Sequence, residues 1–183
     1  MRSLPSLAAR AQLGDRVALE ELLRSLESPL LDHVRTIVRN QDLADDVLQE
    51  TLLRASRGLR SLRDPEWVRA WAYRIATREA VRAARAERDP RRESIDDRID
   101  FPVPESEEVL AGQDLLDEIP RRLDELPPRA RLVVRMRYLE ELSQQEIAEA
   151  LEIPIGTVKS RLAYGLSMLR RTMAEALGEP GRR

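Results

Sequence analysis

Residues 142–169 read LSQQEIAEALEIPIGTVKSRLAYGLSML, and the fold is decided here. Ser143 and Glu146 stand at the spacing of a capping box, in which each side chain satisfies the other residue's backbone N–H, so a short helix is predicted over 144–151. Glu152, Ile153, Pro154, Ile155 and Gly156 break that helix, and Thr157 is expected to cap a second one running to about residue 171. Ile147, Leu151, Ile153, Val158 and Leu162 fall where the two helices and their turn would bury them. Two short helices about a tight turn describe a helix-turn-helix. Its second helix opens with Lys159, Ser160 and Arg161, and the N-terminal part of that helix is the part that enters a major groove, where these side chains meet phosphates and base edges. A helical hairpin with a solvated basic face shares the pattern, so both readings stand at this point.

Working outward, Leu115, Leu116, Ile119, Leu123 and Leu126 keep helical spacing, Pro127 and Pro128 interrupt it, and Leu132, Met136 and Leu139 resume it. A helical domain is therefore expected over 114–177. Residues 91–112 hold Pro102, Pro104, Gly112 and seven acids with no sustained apolar period, which is the composition of a linker. Before it, residues 14–39 carry Val17, Leu22 and Leu26, then Leu30, Val34, Ile37 and Val38 after Pro29, and two helices parted at that proline are predicted. A third helix begins near Asp42. It buries Ala44, Val47, Leu48, Thr51, Leu52 and Ala55 and turns Asp45, Asp46, Gln49 and Glu50 mostly to other faces. Asp64, Pro65 and Glu66 form an N-cap, a first-turn proline and a dipole-favoured acid, which start a fourth helix over 65–87. The first domain is thus expected over 13–90. With 42% hydrophobic residues, six aromatics and seven glycines, the 183-residue chain reads as all-α, two small helical domains joined by an acidic flexible linker.

Charge is sorted along the chain although the net is only −2. Residues 1–53 hold six basic and nine acidic side chains, 54–92 twelve and five, 93–126 three and twelve, and 127–171 eight and five. Two basic blocks flank an acidic one, and basic blocks suit nucleic acid because neutralising phosphates releases counterions. A solvated basic face is the alternative for either block.

Other classes of function find little support. No cysteine is present, so disulfides and thiolate metal sites are excluded. His33 is the only imidazole and has no partner histidine for a metal, so a structural or surface role is expected for it. No glycine-rich phosphate loop occurs, and neither an enzyme nor a cofactor is expected. No apolar run nears the roughly 18 residues of a membrane span, and the start, with Arg2 and Arg10, lacks a continuous apolar core, so a soluble cytoplasmic protein is expected.

The fourth helix carries a second signal. At about 100 degrees per residue, Arg74, Arg78, Arg82 and Arg85 fall within about an 80-degree arc, with Arg88 about 40 degrees outside it and Trp67 and Trp71 on or beside it. Burial is expected from Val68, Ala72, Ile75 and Ala83 on a neighbouring face. Arginines beside indoles suit a partly unpaired strand, since guanidinium groups follow the backbone while aromatic faces stack on bases. Each tryptophan also fits as a core wedge.

These residues together resemble the extracytoplasmic-function sigma factors of bacterial RNA polymerase, over residues 14–177. The resemblance lies in Gly14 and Asp15 with Ala18 and Leu19; in Asp45, Asp46, Val47, Leu48, Gln49 and Glu50; in Trp71, Ala72, Tyr73, Arg74, Ile75 and Ala76; in Leu126, Pro127, Pro128 and Arg129; in residues 142–148; and in residues 154–162. It implies that 13–90 is sigma region 2 and 114–177 is sigma region 4, that the protein directs promoter-specific initiation, and that its partners are promoter DNA and the core polymerase, through the clamp of the beta-prime subunit and the flap of the beta subunit. It further implies that Asp45, Asp46, Gln49 and Glu50 dock the clamp. Trp67, Trp71, Arg74, Arg78, Arg82 and Arg85 would melt and read the minus 10 element, and Thr157, Lys159, Ser160, Arg161 and Tyr164 would read the minus 35 element. The acidic linker would thread through the polymerase, and an anti-sigma factor, which holds many relatives inactive, is a further implied partner.

The chain departs from the family pattern at Arg78, where an asparagine is common near a pocket for a flipped base, and at Tyr164 and Leu166, where arginines are usual; Gly165 between them replaces an alanine. A helix-turn-helix regulator that is not a polymerase subunit would explain 114–177, but has no use for the acidic-amide helix or the tryptophan-arginine stripe. A protein-binding adaptor would leave the basic blocks idle.

Overall fold

The structure, a computed structural model of the chain, describes residues 3–38, 40–87 and 113–176, and only the backbone of 113–117, 175 and 176. The expected linker at 91–112 and Arg88 lie outside the described residues. Among these residues every regular element is helical, and the chain divides into two compact units.

The first unit holds α1 (Leu4–Gln12), α2 (Arg16–Ile37), α3 (Gln41–Gly58) and α4 (Val68–Glu87). Helix α1 goes beyond the sequence reading; it packs Leu7, Ala8 and Ala11 onto α2 and onto a 3₁₀ turn at Pro65–Trp67. Gly14 follows with φ +96°, a left-handed conformation that L side chains adopt only at a cost, and its N–H donates to the Ala11 carbonyl at 3.0 Å. Asp15 then caps α2 by accepting from the Ala18 N–H at 3.0 Å, while Arg10 Nε donates to its other oxygen at 3.0 Å. The Ala18 N–H, and after it Arg10, hold the Asp15 carboxyl below the ordinary carboxylate range.

The predicted break at Pro29 does not occur; α2 runs unbroken through it. A mid-helix proline costs about 3 kcal/mol. Leu22, Leu26, Leu30 and Val34, all at most 2% exposed, keep one apolar face in register across the proline. Each such burial contributes roughly 1.5–3 kcal/mol, so the packed face outweighs the lost hydrogen bond. His33 on that face is fully buried, its Nε2 lies 2.9 Å from Thr77 Oγ1, and its ring meets Tyr73 edge-on at 4.9 Å. The imidazole is structural, as expected.

Helix α3 is capped by the Asn40 side chain, which accepts from the Asp42 and Leu43 N–H groups. It buries Ala44, Val47, Leu48, Thr51 and Ala55, while Leu52 is half-buried. The fourth helix begins as expected at Asp64, whose side chain accepts from the Glu66 N–H at 3.0 Å, but its first turn is 3₁₀ and α4 proper starts at Val68. Its buried face also differs from expectation. Val68 and Ala72 are buried, but Ile75 and Ala83 are only half so; Ala70, Tyr73, Ala76, Glu79 and Ala80 complete the face. The alanines let α4 lie close on α2 and α3, and close approach selects small side chains over the bulk of Ile75.

The second unit holds α5 (Gln113–Arg122), α6 (Pro128–Tyr138), α7 (Gln144–Leu151) and α8 (Ile155–Ala176). Arg131 ties the turn before α6, donating to the carbonyls of Asp124 at 2.8 Å and Leu126 at 3.0 Å. The core gathers Ile119, Ala130, Val133, Val134, Met136, Leu142, Ile147, Val158, Leu166 and Leu169. Gly165 lies where α8 crosses α6 so closely that an added Cβ would stand 2.7 Å from Val134 Cγ2.

Candidate polymerase-docking and nucleic-acid interfaces

Because α3 buries one face, Asp45, Asp46 and Gln49 are left exposed on another, as the sequence predicts. Glu50 is different. It is half-buried, and its carboxylate accepts from Arg54 Nε, one turn along the same helix, at 2.6 Å, so a neighbouring cation already holds it. Asp45 has Arg35 at 3.7 Å, a loose pair worth little.

Helix α4 runs antiparallel to α3, since Arg54 meets Glu79, Gly58 meets Trp71, and Asn40 meets Glu87. Along it Arg78, Arg82 and Arg85 are exposed and Arg74 half-buried. Trp67 and Trp71 are half-buried, neither core wedges nor free rings. Trp71 lies against Gly58, where a Cβ would come within 3.3 Å of the indole. Gly58 thus leaves room for the ring against α3.

Between α3 and α4 lies a cleft of about 370 Å³ lined by Arg54, Arg57, Gly58, Ile75, Arg78 and Glu79. Arg78 is the departure from the family pattern noted above, and the fold brings it beside two further arginines. Sequence reasoning missed Arg54, Arg57 and Glu79. Arg54 and Arg57 sit on α3, so no periodicity within α4 could reveal them. Glu79 carried a weak signal as the sole acid in α4 before its final residue. It is 7% exposed, and pairs with Arg54 Nη1 at 3.2 Å and with Arg82.

In the second unit the capping box forms as predicted: Ser143 N–H donates to Glu146 Oε2 at 2.8 Å, and Glu146 N–H donates to Ser143 Oγ at 3.1 Å. The loop ahead of it is held by Arg135 Nε donating to buried Glu140 at 3.0 Å and by Arg137 donating to the Leu142 carbonyl at 3.3 Å. Helix α7 ends at Leu151, and Glu152 turns the chain with φ +54°. The second helix starts three residues earlier than a Thr157 cap would place it, at Ile155. Thr157 is therefore inside α8, and the Pro154 carbonyl, which accepts from the Thr157 N–H at 2.9 Å and the Val158 N–H at 3.2 Å, opens the helix.

Val158, Leu162, Leu166 and Leu169 face the core, Leu151 and Ile153 are half-buried, and Lys159 is exposed. Thr157, Ser160, Arg161 and Tyr164 are half-buried along the adjoining face. Leu166, where the family usually has arginine, is a core residue at 2% exposure. Among the described residues no group of His, Cys, Asp and Glu could hold a metal ion, and no helix is long and apolar enough to cross a membrane.

Residues 9–89 match the family model for Sigma-70 region 2, and residues 116–169 that for Sigma-70, region 4. The RNA polymerase sigma factor SigV of Bacillus subtilis is 34% identical over 133 residues, covering 73% of this chain and 77% of that protein. The ECF RNA polymerase sigma-E factor of Escherichia coli is 31% identical over 168 residues, 85% and 86% of the two chains. Among solved structures, CnrH in complex with the cytosolic domain of CnrY superposes with a TM-score of 0.65 at 21% identity, over 94% of this chain and 97% of that one. The sigma factor RpoE of Bartonella quintana, in complex with the anti-sigma factor NepR, gives 0.62 at 20% identity, over 84% and 95%. The fold, the two family models and the identities agree: the chain belongs to the extracytoplasmic-function sigma factors of bacterial RNA polymerase, proteins that direct promoter-specific transcription initiation.

Proposed function

We propose that the chain divides this work between its two units. Residues 13–90 act as region 2, with Asp45, Asp46, Gln49 and Glu50 docking the clamp of the beta-prime subunit and Trp67, Trp71, Arg74, Arg78, Arg82 and Arg85 engaging the minus 10 element. Residues 114–177 act as region 4, meeting the beta flap and reading the minus 35 element through Thr157, Lys159, Ser160, Arg161 and Tyr164. The observation that carries the reading is the pairing of α3, exposing acids and an amide, with antiparallel α4, exposing arginines beside half-buried indoles. A protein that only bound duplex DNA would need neither face.

The cleft between α3 and α4 is the place for a flipped base. Arg78 cannot reproduce the donor-and-acceptor pairing of an amide, but offers a planar cation for stacking or for phosphate. The protein works in the cytoplasm, without catalysis of its own. An anti-sigma factor restrains it, by analogy with the RpoE structure, whose partner is one. Transcription from a promoter library by purified core polymerase plus this protein tests the reading. Initiation from a defined promoter subset, absent with core polymerase alone, is expected; duplex binding without any initiation would overturn it.

A further inference from the structure

Glu79 is a buried carboxylate in the middle of a basic stripe, and the stripe as read from sequence has no use for it. A carboxylate at 7% exposure needs cationic partners, because desolvating an unpaired charge is costly. Glu79 takes Arg54 from α3, at 3.2 Å, and Arg82 from its own helix. Arg54 is in turn shared: its Nε donates to Glu50 at 2.6 Å while its Nη1 faces Glu79. Four side chains therefore form one chain of alternating charge, Glu50, Arg54, Glu79 and Arg82, running from the acidic side of α3 to the arginines of α4. The Arg54 guanidinium is held above its ordinary range, first by the Glu50 hydrogen bond and then by the nearby Glu79 and Glu50 charges, against the opposing effect of desolvation.

We propose that Glu79 is a positioning residue, whose carboxylate orients Arg54 and Arg82 and passes the state of Glu50 to the arginine stripe. If a cation on a partner takes Glu50, Arg54 is left to Glu79 alone. The carboxylate is then neutralised more fully and its hold on Arg82 weakens, which frees that guanidinium for phosphate. By linkage, phosphate on Arg82 favours release of Glu50 to the same degree. The functional consequence rests on the docking and stripe roles proposed above: core polymerase binding to α3 would raise the affinity of α4 for the displaced strand.

The test uses the free full-length protein, with Glu50→Gln standing in for withdrawal of the Glu50 charge. Arginine Nε–Hε resonances are followed by NMR, and affinity for a single-stranded DNA oligomer by titration. Glu50→Gln should move the Arg82 resonance and tighten DNA binding about two- to fivefold, the range that partly exposed ion pairs support. Both changes should vanish in a Glu79→Gln background and in Arg54→Lys, a variant at an exposed position that keeps the charge but loses the fork. Asp42→Asn removes one charge from the first turn of the same helix and should leave the Arg82 resonance in place.

An Arg82 signal unmoved by Glu50→Gln, moved equally by Asp42→Asn, or still moved when Glu79 or Arg54 is replaced would overturn the proposal. Should the resonances behave as expected while DNA affinity stays constant, the relay stands and the DNA role of the stripe is what fails.

Discussion

Arg78 stands exposed on α4 and lines the cleft with Arg54 and Arg57, so an added strand there would meet three guanidinium groups and no amide. Arg78→Ala is therefore expected to slow promoter opening more than initial polymerase binding, and to do so across promoters rather than at one base. Permanganate reactivity on duplex templates, compared with transcription from a pre-melted bubble, reads this directly. Normal opening, or equal failure on both templates, would remove Arg78 from melting. Asp46 offers the cleaner test of docking. It is exposed on α3, whereas Glu50 is engaged by Arg54, so Asp46→Lys changes a surface charge without unseating an internal pair. Weaker binding to core polymerase with an unchanged circular dichroism spectrum is expected, and unaltered affinity would contradict the assignment. Sequence spacing located both residues. It could not show that Arg54, one turn beyond Glu50, also reaches the buried Glu79 on α4.

At the scale of elements, the helix boundaries legible in sequence were those with local chemistry behind them. The Ser143 and Glu146 box and the Asp64 cap form as read, because each needs only neighbouring backbone. Pro29 and Thr157 misled for the opposite reason. An apolar face packed across Pro29 carries α2 through it, and the Pro154 carbonyl opens α8 before Thr157 is reached. Gly165 gives a sharp test of helix packing. Alanine is intrinsically better in a helix than glycine by about 1 kcal/mol, yet its Cβ would lie 2.7 Å from Val134 Cγ2, with Ala130 and Leu126 atoms at 3.6 Å blocking retreat. Overpacking of that kind costs about 1–3 kcal/mol, so the clash should win. Gly165→Ala is expected to lower the stability of the second unit in urea unfolding, and Val134→Ala in the same chain to restore part of it. A neutral or stabilising Gly165→Ala would show that the two helices can part.

For the whole molecule, the proposed division of labour predicts separable defects. Replacing Lys159 and Arg161 by alanine should weaken the upstream footprint of the polymerase complex and leave opening of a pre-bound downstream element intact. Where a side chain reads a base edge the loss is about 1–3 kcal/mol with relaxed sequence choice; where it meets phosphate the loss is uniform and the salt slope shallower. An upstream footprint identical to that of the unaltered protein would refute the assignment. The sequence by itself determined the all-helical class, the two units, the helix-turn-helix and the family, since periodicity, capping and motif order are written along the chain. Tertiary structure alone decided which face of α4 is buried, that Leu166 belongs to the core, and that Arg54, Arg57, Arg78 and Glu79 share one cleft. Those facts depend on the approach of antiparallel helices and on which small side chains permit it, and residues more than twenty positions apart leave no periodic trace of such a meeting.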